Sequence, residues 1–365
     1  ESRQTGEALR RKVWDPLRAF LGDAKQVLIV PDGALHLVNF SALPVGADQY
    51  LVEKGPLFHY LSAERDAASS YDDGVTPLRA LVIGGVDFGR FSEGAQSACA
   101  MPPQAPFASA ALRGETGVFR SAPSSCERFQ QQRFPPLPQS EEEARSITRL
   151  LESHAGAPGS SVRLVTGKEA DEAFFKSSAP RSTLLHLATH GFFYEGDCAS
   201  GLSAARRRAR ESQQTSQDPL PVLGESPLLL SGFALAGSNR RLGGSSCSAG
   251  DDGILTAEEI ASLDLSSVGW AVLSSCDTGL GLIRAGEGVL GLRRAFHEAG
   301  ARTLIMSLWK VDDQSAGEWM RHLYEARLDG KSTAESMRQA ALEVFRARRA
   351  QGKSTHPFTW GAFVA

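Results

Sequence analysis

Two apolar stretches of this chain end on side chains that can move protons or attack carbonyls. "STLLHLATHGFF" (182–193) carries His190 followed at once by Gly191, and "GWAVLSSCDTGLG" (269–281) carries Cys276 followed by Asp277, Thr278 and Gly279. A thiol beside an imidazole makes a nucleophilic pair, in which the imidazole assists deprotonation of the thiol or protonates a leaving group. Glycine after the histidine lets a backbone N–H approach a developing oxyanion with no Cβ in the way. Spacing alone also fits a plainer account, with His190 a hydrogen-bonded structural residue and Cys276 a small core hydrophobe. Ser274 and Ser275 are rival nucleophiles, although no Gly-x-Ser-x-Gly elbow surrounds them. His186 is a rival base, four residues earlier on the same strand, where a supporting hydrogen bond is the expected role.

The elements that must position these groups alternate along the chain. "QVLIVPDG" (26–33), "ALVIGGVDFG" (80–89), "SVRLVTG" (161–167), "STLLHLATHG" (182–191), "GWAVLSSC" (269–276) and "RTLIMSLWKV" (302–311) are continuous apolar runs, the pattern of parallel strands covered on both faces. Helical segments separate them. "SEEEARSITRLLES" (140–153) opens with Ser140 and Glu143 in capping-box spacing, and "DEAFFKSS" (171–178) is a short helix. "GEGVLGLRRAFHEAG" (286–300) ends on a glycine suited to the position after a helix, and 315–330 and 332–352 complete the set. Such alternation predicts an α/β fold with a mainly parallel central sheet flanked by helices on both faces. In such sheets ligands bind at the carboxyl ends of the strands, where His190 and Cys276 both fall. Residues 90–139 and 195–250 are polar, proline- or glycine-rich and aperiodic, and read as two surface insertions.

Composition narrows the class. The chain has 365 residues, 42% hydrophobic and 22% charged, with a net charge of −3, so no overall basic field points to nucleic acid or an anionic membrane. No apolar run approaches the roughly 18 residues of a transmembrane helix. Glu1 in place of an initiator Met is expected of a fragment with sequence upstream. The five cysteines are odd in number and widely spaced, with no Cys-x-x-Cys, which suits reduced thiols in the cytoplasm better than disulfides or zinc.

"LLHLATHGFF", "AVLSSCDTGLG", "GEGVLGLRRAFHEAGARTLIMSLWKVDD" and "HPFTWGAFVA" together resemble the CHAT family of caspase-like cysteine peptidases, related to separases. The likeness continues upstream in "VLIVPDGALHLVNFSALP" (27–44) and "DGILTAEEIASLDL" (252–265), and the motifs stand in family order. The resemblance implies a caspase-like α/β/α sandwich with two halves. An N-terminal pseudo-caspase-like half would span 1–150 with an insertion at about 90–139, and a catalytic half 151–365 with an insertion at about 195–250. It implies His190 as the catalytic histidine and Cys276 as the nucleophile. This chain departs from the family at Ser275 and Asp277, which flank the cysteine, and at Asn39, where proline is usual.

Peptide-bond hydrolysis through an acyl-enzyme follows from that pair, with the N–H groups of Gly191 and Cys276 holding the oxyanion and no metal or other cofactor required. "SLWKVDDQSA" (307–316) resembles the separase segment that receives a P1 arginine, which points to Asp313, with Asp312 beside it, as the S1 acid. The alternative is that one of the two caps the helix beginning near Ser315. "RRRAR" (206–210) is a self-cleavage site if P1 is basic, and otherwise a solvated basic loop. The expected partners are a protein substrate and an upstream repeat domain or activating protein, in the cytoplasm and in a bacterial setting, without nucleic acid or membrane.

Two rival readings remain. "GEGVLG" (286–291) satisfies Gly-x-Gly-x-x-Gly, but no strand ends at its first glycine as dinucleotide binding requires. A pseudoprotease or interaction scaffold is the other, and it has no need of a His190–Cys276 pair.

Overall fold

The computed structural model describes residues 2–46, 48–68, 77–89, 132–193, 228, 231–240, 252–274, 287–309 and 311–365. The N-terminal region runs α1 (Ser2–Val13), α2 (Asp15–Leu21), β1 (Gln26–Ile29), β2 (Pro44–Val45), β3 (Gln49–Tyr50), α3 (Leu51–Lys54) and β4 (Leu57–Tyr60). The alternating region follows as β5 (Arg79–Val86), α4 (Pro138–His154), β6 (Ser161–Gly167), α5 (Glu172–Ser178), β7 (Leu184–Leu187), β8 (Gly191–Phe193), β9 (Ser231–Ala234), β10 (Ile254–Thr256), α6 (Ala257–Ala261) and β11 (Trp270–Leu273). It closes with α7 (Glu287–Glu298), β12 (Thr303–Ser307), α8 (Asp313–Leu328), α9 (Thr333–Ala350) and β13 (Phe363–Val364).

The central sheet has the order β13-β12-β11-β7-β5-β6. Its neighbours are parallel except at β13, which lies antiparallel on the β12 edge. The continuous apolar runs have the cause expected of them, because successive side chains enter two different cores. Leu81, Ile83, Leu185, Leu187, Ala271 and Leu273 face one core with α5, α6 and α7. Val82, Leu184, Trp270, Val272 and Ile305 face the other with α4, α8 and α9. The mainly parallel α/β/α architecture is therefore present, and its sheet draws strands from both sides of residue 150.

Several local expectations need correction. β1 is not covered on both faces: Leu28 is 46% exposed, and among the described residues the strand pairs, in parallel, only with β4 in a separate two-stranded sheet. No capping box forms at Ser140, because α4 starts at Pro138, whose missing N–H costs nothing in a first turn. Ser140 Oγ instead accepts the Gly85 N–H at 3.0 Å and donates to the Leu137 carbonyl. That contact draws α4 tightly onto β5. A Cβ at Gly84 would lie 2.6 Å from Ala144 Cβ, so only glycine permits the approach. Within the stretch read as a second insertion, Ser231–Ala234 is a fully buried strand. Box motifs form elsewhere, among them at α6, where Thr256 and Glu259 cap each other, and at α9, where Ser332 and Glu335 do.

Candidate active site

β7 and β11 are adjacent and parallel, with Val272 paired to His186 and Leu273 to Leu187. The Ser274 N–H extends the pairing by donating to the Leu187 carbonyl at 2.9 Å. Past Leu187 the chain makes a short crossing and then enters a small antiparallel sheet of order β10-β9-β8. The Ala234 N–H donates to the His190 carbonyl, and Thr189 Oγ1 donates to the Ala234 carbonyl at 2.6 Å. His190 is thus fixed by β9 at the carboxyl end of the central sheet. Gly191 pairs with Phe233 in the next register position. Antiparallel pairs alternate between bonded and non-bonded positions, so the Gly191 N–H is turned away from β9.

The His190 imidazole is buried, with 7% of the residue exposed. The Phe88 and Phe134 rings lie against it with centroids at 5.1 and 5.6 Å. Its Nε2 stands 2.8 Å from the Pro135 carbonyl oxygen. A carbonyl can only accept, so Nε2 carries a proton, and in a neutral imidazole Nδ1 is then the basic nitrogen. Phe88, Phe134 and Pro135 were not singled out by motif, because Phe134 and Pro135 sit in an aperiodic stretch whose only mark is the "FPPLP" run (134–138).

Cys276 lies outside the described residues, as do Ser275, Asp277 and the "RRRAR" run. Asp312 is the N-cap of α8, and its Oδ1 accepts the Ser315 N–H at 3.0 Å, the capping role weighed above. Asp313 is the first residue of that helix. His186 points into the core on the α4 and α8 side, wholly buried. Its Nδ1 is 3.1 Å from Tyr324 Oη, and its Nε2 is 3.1 Å from Glu143 Oε1 without hydrogen-bond alignment. β11 ends at Leu273, well short of Gly286, so the glycine-rich run does not follow a strand as a dinucleotide loop must.

One buried carboxylate stands behind the small sheet. Glu172 Oε1 accepts the N–H groups of Gly253 and Ile254 at 2.6 and 3.1 Å, and Oε2 meets Lys176 Nζ at 2.8 Å. Burial pushes the Glu172 carboxyl up to about 7, against the pull of Lys176. It anchors β10, and through β9 the backbone on either side of His190. Among the described residues no cluster of three or more His, Cys, Asp or Glu is placed to hold a metal, and no helix is long and apolar enough to cross a membrane.

The profile of the CHAT domain matches residues 3–365. Tetratricopeptide repeat protein 28 of Mus musculus is 32% identical over 111 residues, 30% of this chain and 4% of that protein. Its Homo sapiens counterpart is 24% identical over 229 residues, 63% of this chain and 8% of that protein. The chain thus spans less than a tenth of the length of these curated relatives. Among solved structures, the Arg-specific cysteine proteinase gingipain R aligns with all of this chain and 66% of its own, at 9% identity and a TM-score of 0.43.

Proposed function

This chain belongs to the CHAT domain family, and on that premise we propose that it is a cysteine endopeptidase working through a Cys276–His190 dyad. The observation that supports it most is the Pro135 carbonyl on Nε2 of His190, which leaves Nδ1 as the base at the carboxyl end of β7. The neighbouring strand β11 leads, two residues after Ser274, to Cys276.

In the proposed reaction Cys276 Sγ attacks the scissile carbonyl carbon as its proton passes to His190 Nδ1. The N–H groups of Gly191 and Cys276 hold the oxyanion; loss of such a donor costs about 10²–10³ in rate. Collapse breaks the C–N bond, and the Nδ1 proton goes to the departing amine. Water then gives a proton to Nδ1 and attacks the thioester, the C–S bond breaks, and the proton returns to the thiolate. Neither a metal nor an organic cofactor enters these steps.

Substrate preference is part of the same proposal. Asp313, with Asp312 beside it, is the acid for a P1 arginine or lysine, through charge-assisted hydrogen bonds to the substrate side chain. Cleavage within "RRRAR" (206–210) would be self-processing. The names of the two relatives agree with a tetratricopeptide-type repeat as the regulatory partner. The proposed setting is the cytoplasm, where the thiol stays reduced.

The test is peptide-library cleavage read by mass spectrometry on the wild type, Cys276→Ala and His190→Ala. Cuts after Arg or Lys that vanish in both variants are expected. Cuts that persist in Cys276→Ala rule out the dyad. Binding of a partner that survives Cys276→Ala, with no cleavage in the wild type, identifies a scaffold instead.

A further inference from the structure

Asn239 belongs to no motif, yet its side-chain amide joins separate segments beside His190. Oδ1 accepts the Phe134 N–H at 2.9 Å, and Nδ2 donates to the carbonyl of the same residue at 2.9 Å. The amide pairs with Phe134 as a neighbouring strand would, holding both backbone groups of one residue. Nδ2 also reaches the Gly89 carbonyl at 3.3 Å, and the Asn239 N–H donates to the Phe88 carbonyl at 2.8 Å. The two rings and the carbonyl that surround His190 all come from residues bonded to Asn239 or from their immediate neighbour.

Local chemistry carries this anchorage to the imidazole. Pro135 follows Phe134, and its ring locks φ near −65°. Pro136 follows in turn, and the residue before a proline is confined to extended ψ. With Phe134 held at both backbone groups and both Pro135 dihedrals restricted, the Pro135 carbonyl has little freedom to point elsewhere.

We infer that Asn239 is a positioning residue for the Cys276–His190 chemistry, holding Phe134 and Pro135 so that the Pro135 carbonyl keeps His190 protonated at Nε2 and basic at Nδ1. The inference rests on the reading of His190 as the catalytic base and adds the device that sets its tautomer.

The experiment uses the full chain labelled with 15N-histidine, and two-bond 15N–1H spectra assigned with His190→Gln. Wild-type His190 is expected as the Nε2–H tautomer. In Asn239→Ala the Nδ1–H tautomer gains population, and kcat for peptide cleavage falls on the order of 10²-fold while KM moves about threefold or less. Asn239→Asp, nearly isosteric, keeps the acceptor for Phe134 N–H but loses both donated bonds, and shifts the tautomer the same way. A folded variant of either kind with the wild-type tautomer and kcat overturns the inference. If neither variant folds, amide exchange in the wild type decides: a protected Phe134 N–H supports the clamp, and exchange at the unprotected rate overturns it. A wild type that cuts no peptide sinks the peptidase reading alone, since the His190 tautomer still tests the clamp.

Discussion

Leu187 and Leu273 are register partners on adjacent parallel strands, and His190 and Cys276 each follow their strand's last paired residue by three positions. If the imidazole acts on the thiol, the thiol's reactivity depends on it.

Alkylation is the direct measure. With iodoacetamide at neutral pH, Cys276 should label fastest of the five cysteines, as followed by peptide mass spectrometry. His190→Ala should slow Cys276 about tenfold or more, because a free thiol with a pKa near 8.5 is only a few per cent thiolate. Equal rates in the two proteins count against the dyad.

Stability should fall as the solution turns alkaline, for a reason located at Glu172. Its carboxyl is pushed by burial from about 4.5 up to about 7, so folding favours the protonated form. That contribution is complete below the ordinary carboxylate range and is lost as pH rises through 7. Lys176 opposes the shift, and Glu259 and Asp252 reinforce it. Denaturant melts at pH 5.5 and 8.5 should differ by on the order of 1–3 kcal/mol from this group. In Glu172→Gln that part of the difference should disappear. The same pH dependence in the variant would place its origin elsewhere.

The two aspartates before α8 should separate by assay. Asp312→Ala removes the N-cap bond to Ser315 and should cost about 1 kcal/mol of stability. Asp313→Ala should raise KM for peptides with P1 arginine about tenfold or more, with the melting temperature nearly unchanged. An arginine preference untouched by Asp313→Ala would remove that residue from the S1 pocket.

The five parallel strands of the central sheet and the long helices were legible because the signals that mark them are local. "SVRLVTG" is a strand over its whole length, and Asp171 and Ser332 cap the helices that follow them. β1 was misjudged because an apolar run does not tell whether anything covers its second face. β9 was hidden in a glycine-rich stretch, since "SGFA" is too short to show a period. Asn39, read only as a departure from a usual proline, turns out to donate to the Gly361 and Phe363 carbonyls across the chain. In the proposed site, His190 and Cys276 were named from their places at the ends of apolar runs. Their supports were not. The Pro135 carbonyl is a backbone group, which every sequence has, and the Asn239 side chain is bonded to backbone groups of Phe134 and Gly89, which no motif records.

The clamp has one more consequence. Gly89 precedes residues 90–131 and Phe134 comes three residues after them, and both are bonded to the same side chain. Asn239 thus ties together the two described sides of that segment. The entropy of closing such a loop grows only with the logarithm of its length, about 0.6 kcal/mol per doubling. The position is therefore a socket in the evolutionary sense: sequence can be lengthened, trimmed or exchanged there by recombination while the imidazole a few ångströms away keeps its orientation. Descendants of one chemistry could diversify at that point almost without thermodynamic penalty.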